Sequence, residues 1–278
     1  MLFGPAGYPD DAKGNVKKVF NILKEAKLSA LEYAAVYGLR TKEERARLIG
    51  KLAAENGITM SLHAAYYISL ASKSLEIRNR SKQRLVKALT LAPLMGVKRV
   101  VFHAGTHGGL PPEESYKIIR NALQEVWNET RHQDDGALLA PEIAGKINAF
   151  GSVEEIIRLC QDVEGLIPTI DWAHLYARSQ GKINDKSSYL KILEKFEDAM
   201  GKRFTENMHF HISGIEYTEA GESKHRPLGG EWGPDILPLV EIIAEVGYKP
   251  TFISESTEPL RGALFAKYLL EEVEKSRK

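Results

Sequence analysis

Eight short apolar runs alternate with segments of helical periodicity along the 278 residues, and this alternation constrains the fold more than any other feature. Strands separated by helices do not pair as tight hairpins, because each crossover brings the chain back parallel to the strand it left. The runs cover residues 2–4, 30–34, 58–63, 98–103, 138–142, 167–171, 208–213 and 251–255. Eight strand–helix units predict an α/β chain closed into a (β/α)8 TIM barrel, at a length ordinary for one such domain. An open doubly wound sheet competes, but no glycine-rich phosphate-binding turn follows the first run. No low-complexity linker or composition break divides the chain, so residues 1–278 are expected to form a single domain.

The segments between the runs carry their own signals. Val16, Val19, Phe20, Ile22 and Leu23 fall on one helical face, and Thr41 with Glu44 reads as an N-cap pair. A long helical segment over 68–95 ends at Gly96, with Pro93 expected to break its last turns. A helix opening near Pro111 and Pro112 turns Tyr116, Ile119, Leu123 and Val126 inward, and Ser152 caps the next one. Further helices are expected over 186–200, over 236–246 and at the C-terminus, where Leu264, Tyr268, Leu269 and Val273 recur. Residues 214–233 read as a long polar loop.

Composition excludes several classes. Hydrophobic residues make up 43% and charged residues 27%, which rules out a disordered or fibrous chain. The only cysteine, Cys160, sits at a core position of a helical pattern, so no intrachain disulfide exists and a reducing, cytoplasmic setting is expected. The first residues are too short and interrupted for a signal peptide, and no apolar run reaches membrane-spanning length. The formal net charge of +1 shows no basic footprint for nucleic acid. Bound divalent cations would change that balance locally, since each adds two charges at one place.

The chemistry is concentrated where the runs end. Leu62-His63, Phe102-His103, Pro141-Glu142, Ile170-Asp171, Phe210-His211 and Ser254-Glu255 each close an apolar run with a ligand-type residue. In a parallel barrel the C-terminal strand ends share one face, so these six side chains converge, with His174 and His225 in adjoining loops. Three carboxylates packed together repel one another unless cations intervene, and the mixture with imidazole suits zinc or another divalent first-row metal such as manganese. His211 is preferred to His209 because it lies nearer its strand's C-terminal end. His107 is placed in a supporting or substrate-contacting role, Glu32 is read as structural, and His132 as a solvated residue at a helix end.

Taken in order, His63-Ala64-Ala65-Tyr66-Tyr67, His103-Ala104-Gly105-Thr106-His107, Pro141-Glu142-Ile143-Ala144-Gly145, Asp171-Trp172-Ala173-His174, His211-Ile212-Ser213 and Ser254-Glu255-Ser256 resemble the endonuclease IV type of apurinic/apyrimidinic endonuclease, among the xylose isomerase-like barrels. The resemblance implies a three-metal site. His63 and His103 would hold one ion, Glu142 would bridge to a second completed by Asp171, His211 and Glu255, and His174 with His225 would hold a third. The chain departs from the family pattern at Ser223, where an aspartate is expected, and Glu222 replaces it if the loop shifts by one residue. The implied activity is zinc-dependent hydrolysis of the phosphodiester 5′ to an abasic site in duplex DNA, by a monomer, with Glu142 central to catalysis. By the same resemblance Tyr66 would fill the gap left by the missing base and Arg40 would contact the DNA.

Two other readings compete. A sugar isomerase or epimerase of the same superfamily needs fewer metals, and it needs a lysine or paired glutamates for proton transfer; no run ends in lysine here. A barrel that binds damaged DNA without cutting it would follow if the Ser223 departure disables the site.

Overall fold

The computed structural model describes residues 1–12, 14–131 and 136–277, so the reading of His132 lies outside the described residues. In chain order the elements are β1 (Leu2–Pro5), α1 (Val16–Glu25), β2 (Ala30–Ala34), α2 (Glu43–Asn56), β3 (Thr59–His63), α3 (Leu75–Leu91), β4 (Val97–Phe102), α4 (Pro112–Thr130), β5 (Leu138–Pro141) and α5 (Val153–Asp162). They continue with β6 (Ile170–Asp171), α6 (Trp172–Arg178), α7 (Lys186–Met200), α8 (Lys202–Thr205), β7 (His209–Ile212), β8 (Gly214–Thr218), β9 (Gly221–Arg226), α9 (Leu237–Val246), β10 (Thr251–Ser254) and α10 (Pro259–Ser276). The chain divides into two compact units, one of Met1–Leu31, Ala144–Ile147 and Thr169–Lys278, the other of Glu32–Ile143 and Asn148–Pro168.

In the first unit, β1, β10, β7 and β6 form a sheet in that order, every pair parallel. Its buried layer is aromatic. Trp172 meets the edges of Tyr189 and Phe210, and Phe252 contacts Phe210 edge-on while stacking on Phe3 at 5.3 Å. The chain entering β2 lies tight against β1: Ser29 N–H donates to Phe3 O at 3.0 Å, and a Cβ built on Gly4 would sit 1.9 Å from Ala30 O. Only a residue without a side chain permits that approach.

The second unit carries the sheet β2-β3-β4-β5, with β3–β4 and β4–β5 parallel. Leu139 N–H donates to Gly165 O, and Ile167 N–H to Leu139 O, both at 2.9 Å, so the segment after α5 runs beside β5. Arg99 is buried and donates to Pro168 O at 2.8 Å; burial pushes its guanidinium down to about 9, against the opposing charge of Glu32. Glu32 is itself buried and accepts from Ser61 Oγ at 2.7 Å.

Local sequence explains most boundaries and corrects some expectations. Ser152 caps α5 in a reciprocal capping box with Glu155, and Pro93 ends α3 in a 3-10 turn closed by Gly96 in the left-handed region. Cys160 is buried in α5. Thr41 is not an N-cap: its hydroxyl bonds Tyr33 OH at 2.6 Å and α2 starts after Lys42. The long segment starts at 75 rather than 68, because Ser74 accepts from Ile77 N and sets the first turn there. Residues 214–226 are not loop but an antiparallel hairpin, and a seven-residue helix, α6, follows Asp171 without a break. On α10 the buried face is Gly262, Ala263, Ala266 and Leu270, whereas Leu264 and Tyr268 are exposed. No helix among the described residues is long and apolar enough to cross a membrane.

Candidate metal centre

In the second unit, His63 closes β3, His103 follows β4 and Glu142 follows β5. The register pairs His63 with Val101 and Phe102 with Pro141, and Glu142 N–H donates to Phe102 O at 3.0 Å, so neighbouring strands end level. His63 Nε2 and His103 Nε2 lie 3.1 and 3.2 Å from the same oxygen, Oε2 of the buried Glu142. His63 Nδ1 lies 2.9 Å from Ala64 O. A carbonyl only accepts, so Nδ1 carries the hydrogen and a neutral His63 turns its Nε2 lone pair toward a carboxylate oxygen. That contact is favourable only with a proton or a metal cation between the two atoms. Bonds of about 2.1 Å in a tetrahedral site place donor atoms about 3.4 Å apart, close to these separations.

In the first unit, Asp171 and His211 are register partners at the ends of β6 and β7, and Glu255 follows β10. Ligand atoms of Asp171, His211 and Glu255 lie within 4.8 Å of one another, with His211 Nδ1 3.4 Å from Glu255 Oε1. Asp171 Oδ1 accepts His174 N–H at 2.7 Å and caps α6. Its Oδ2 is buried and accepts no hydrogen bond among the described residues, lying 3.6 Å from His174 Nδ1. An ionised oxygen buried in this state carries a large desolvation penalty, which a coordinated cation removes, so this set fits a metal.

A further set lies in the same unit. His174 Nε2 is 3.5 Å from Glu222 Oε2, and His225 Nε2 is 3.9 Å from Glu222 Oε1. Two placements differ from expectation: His174 is in the first turn of α6, and His225 is on strand β9, not in a loop. Glu222 is the carboxylate in this set and Ser223 is exposed. Ser213, buried at the end of β7, places its Oγ 2.6 Å from His225 Nδ1. The sequence held a sign of this residue, since position 213 follows His211 by two and shares its side of the strand.

The remaining candidates fall outside the three sets. His209 lies at the start of β7, its ring 5.4 Å from that of His211. His107 Nδ1 bonds Ser115 Oγ at 2.8 Å, its Nε2 is 3.5 Å from Glu155 Oε1 and its ring packs edge-on against Phe150, so it braces the loop before α4. Tyr66 is 59% exposed, on a turn held by its N–H to Val36 O. Arg40 is exposed and lines, with Ala65, Arg84 and Lys87, a cavity of about 160 Å³.

Known proteins share this framework. An uncharacterized protein of Methanocaldococcus jannaschii is 36% identical over 228 residues, covering 82% of each chain. A probable endonuclease 4 of Thermoplasma volcanium is 24% identical over 241 residues, covering 78% of this chain and 81% of that one. Among solved structures, endonuclease IV from Thermus thermophilus superimposes with a TM-score of 0.75 at 17% identity, over 99% of this chain and 100% of that one. D-psicose 3-epimerase from Clostridium cellulolyticum gives 0.70 at 13% identity, over 98% and 99%. At such identities the structural likeness establishes the fold, the (β/α)8 TIM barrel expected from the strand–helix alternation. The description "Xylose isomerase-like TIM barrel" matches residues 20–271, and the chain belongs to that family.

Proposed function

We propose that the chain is a metal-dependent DNA repair endonuclease, zinc-loaded and cytoplasmic, that hydrolyses the phosphodiester 5′ to abasic sites and leaves a 3′-hydroxyl and a 5′-deoxyribose phosphate. The observation that carries the reading is the donor inventory: His63/His103/Glu142, Asp171/His211/Glu255 and His174/Glu222/His225 each gather imidazole with carboxylate. Divalent cations, when bound, supply Lewis acidity for phosphoryl transfer and lower the pKa of water. Glu142, the buried carboxylate of the His63 and His103 set, is taken as the residue on which catalysis depends most. Exposed Tyr66 fills the space of the missing base, Arg40 meets backbone phosphate, and His107 holds the loop that follows His103. A duplex whose base is already absent costs least to open, which favours abasic substrates.

The epimerase reading draws on a structural likeness of similar size, but the five histidines gathered in the three sets exceed what one or two metals need. The test is incision of a duplex carrying one abasic analogue, with and without chelator. Cleavage on the 5′ side that is lost on chelation and restored by zinc or manganese is expected. Absence of incision under every divalent-ion condition refutes the nuclease, and epimerisation of a ketose by the same preparation would establish the alternative.

A further inference from the structure

The second unit carries a concentration of positive charge outside the metal sets. The cavity of about 160 Å³ beside Arg40 has Ala35, Ala64, Ala65 and Ala88 in its walls, and Arg84 and Lys87 of α3 join Arg40 in its lining. Among the described residues none that lines it is acidic. A neighbouring cavity of about 560 Å³ shares Ala35, Gly38 and Arg40 with it and adds Lys42 and Arg45, with Glu44 as its one carboxylate. Five cations thus stand against one carboxylate, in a chain whose formal net charge is +1. Charges of one sign over walls of low polarity focus the field and draw an anion in.

Local structure holds these cations in place. Arg84 and Lys87 are three residues apart on α3 and so share one helix face. Arg84 Nη1 donates to Tyr67 O at 3.2 Å, and its guanidinium carbon lies 5.1 Å from the centre of the Tyr67 ring, which fixes the side chain through one N–H of a planar donor fork. The loop bearing Arg40 is drawn against the end of β3 by Ala35 N–H to His63 O at 2.9 Å and by Tyr66 N–H to Val36 O at 3.1 Å. Gly38 turns that loop in the left-handed region, its N–H donating to Ala35 O at 2.7 Å. Tyr37 and Tyr67 are exposed among the cations. Aromatic rings interleaved with cations suit a nucleic-acid strand better than a small inorganic anion.

We propose that Arg84 and Lys87, with Arg40 across the cavity, form a phosphate subsite that holds one backbone phosphodiester of duplex DNA at a place where none of the metal ligands lines the cavity. The subsite rests on the nucleic-acid reading above but not on incision. It supplies affinity and register, since a phosphate contact carries no base information.

The test measures binding of the metal-loaded, full-length chain to an undamaged duplex over a range of salt. The double variant Arg84→Gln/Lys87→Gln is expected to make the fall of log K with log salt shallower by about 0.9, the value for one phosphate, and to weaken binding about fivefold at about 0.15 M salt. Lys87→Glu, at an exposed position on which folding does not depend, is expected to weaken binding at least as much. Arg80→Gln removes the same charge from α3 outside the cavity, where Arg80 pairs with Glu76, and is expected to leave the salt dependence unchanged. A wild-type slope in the double variant, which a pocket for free phosphate would give, or an equal drop in Arg80→Gln overturns the subsite. The two readings fail separately: a shallower slope in a chain that never incises abasic duplex sinks the nuclease alone, and incision with an unchanged slope in the double variant sinks the subsite alone.

Discussion

Glu142→Gln separates a ligand from a structural ion-pair partner, because the two roles predict a loss of stability under different conditions, with zinc for a ligand and in chelator for an ion-pair partner. Glu142 is 1% exposed, and its Oε2 faces His63 Nε2 at 3.1 Å and His103 Nε2 at 3.2 Å. With His63 Nδ1–H committed to Ala64 O, a glutamine amide at that position donates to the His63 Nε2 lone pair. The metal-free variant therefore loses a buried charge and gains a donor, and its stability in chelator is expected to match wild type within about 1 kcal/mol. Zinc reverses the comparison. An ion at a thousand times its dissociation constant stabilises the native state by about 4 kcal/mol, and a hundredfold weaker affinity removes about 2.7 kcal/mol of that. At about 2 °C per kcal/mol for a chain of this size, the zinc-induced rise in Tm shrinks by roughly 5 °C. The assay is thermal unfolding of both proteins with chelator and with zinc. An equal zinc shift in the variant refutes the ligand role, and a loss of several kcal/mol in chelator shows that Glu142 holds a His63 imidazolium instead.

Three further substitutions probe parts of the molecule that do different work. Gly4→Ala brings a Cβ within 1.9 Å of Ala30 O, a backbone atom that cannot swing away, and is expected to cost about 3 kcal/mol or more by urea unfolding. Ser152→Ala breaks the capping box of α5 and is expected to cost about 1 kcal/mol with zinc content unchanged; a neutral result means water replaces the cap. Tyr66→Ala, at a 59% exposed position, is expected to leave the urea midpoint within about 0.5 kcal/mol while weakening binding to an abasic duplex about tenfold. Unchanged DNA affinity removes Tyr66 from the interface.

What could be read from the sequence followed from how local its cause was. The helix over Lys186–Met200 and the cap at Ser152 depend on residues within one turn, and both were legible. So were the strand-end positions of His63 and Asp171, because an apolar run shows where it stops. Thr41 misled because its hydroxyl is taken by Tyr33, a partner on another element. The hairpin of β8 and β9 was read as loop because β9, with Glu222, Lys224 and Arg226, shows no apolar alternation, and its pairing is set by the opposing strand. The start of α6 directly at Asp171 was invisible for a similar reason: the same aspartate ends a strand and caps a helix, with no intervening residue to mark the change. That Glu222 rather than Ser223 lies beside His174 and His225 could be named as a possibility from the sequence, but not decided, since a bulge is a property of two strands.

The two oxygens of Asp171 have different duties, one accepting the His174 peptide N–H and the other lying beside the His174 ring in the set with His211 and Glu255. A rotamer fixed at one oxygen is fixed at the other. Loading the Asp171 set thus organises the helix end that presents His174, and occupancy at His174 returns the same free energy to Asp171. The first unit should fill these two sets cooperatively, with a steeper zinc titration than independent sites would give, and Asp171→Asn should flatten it.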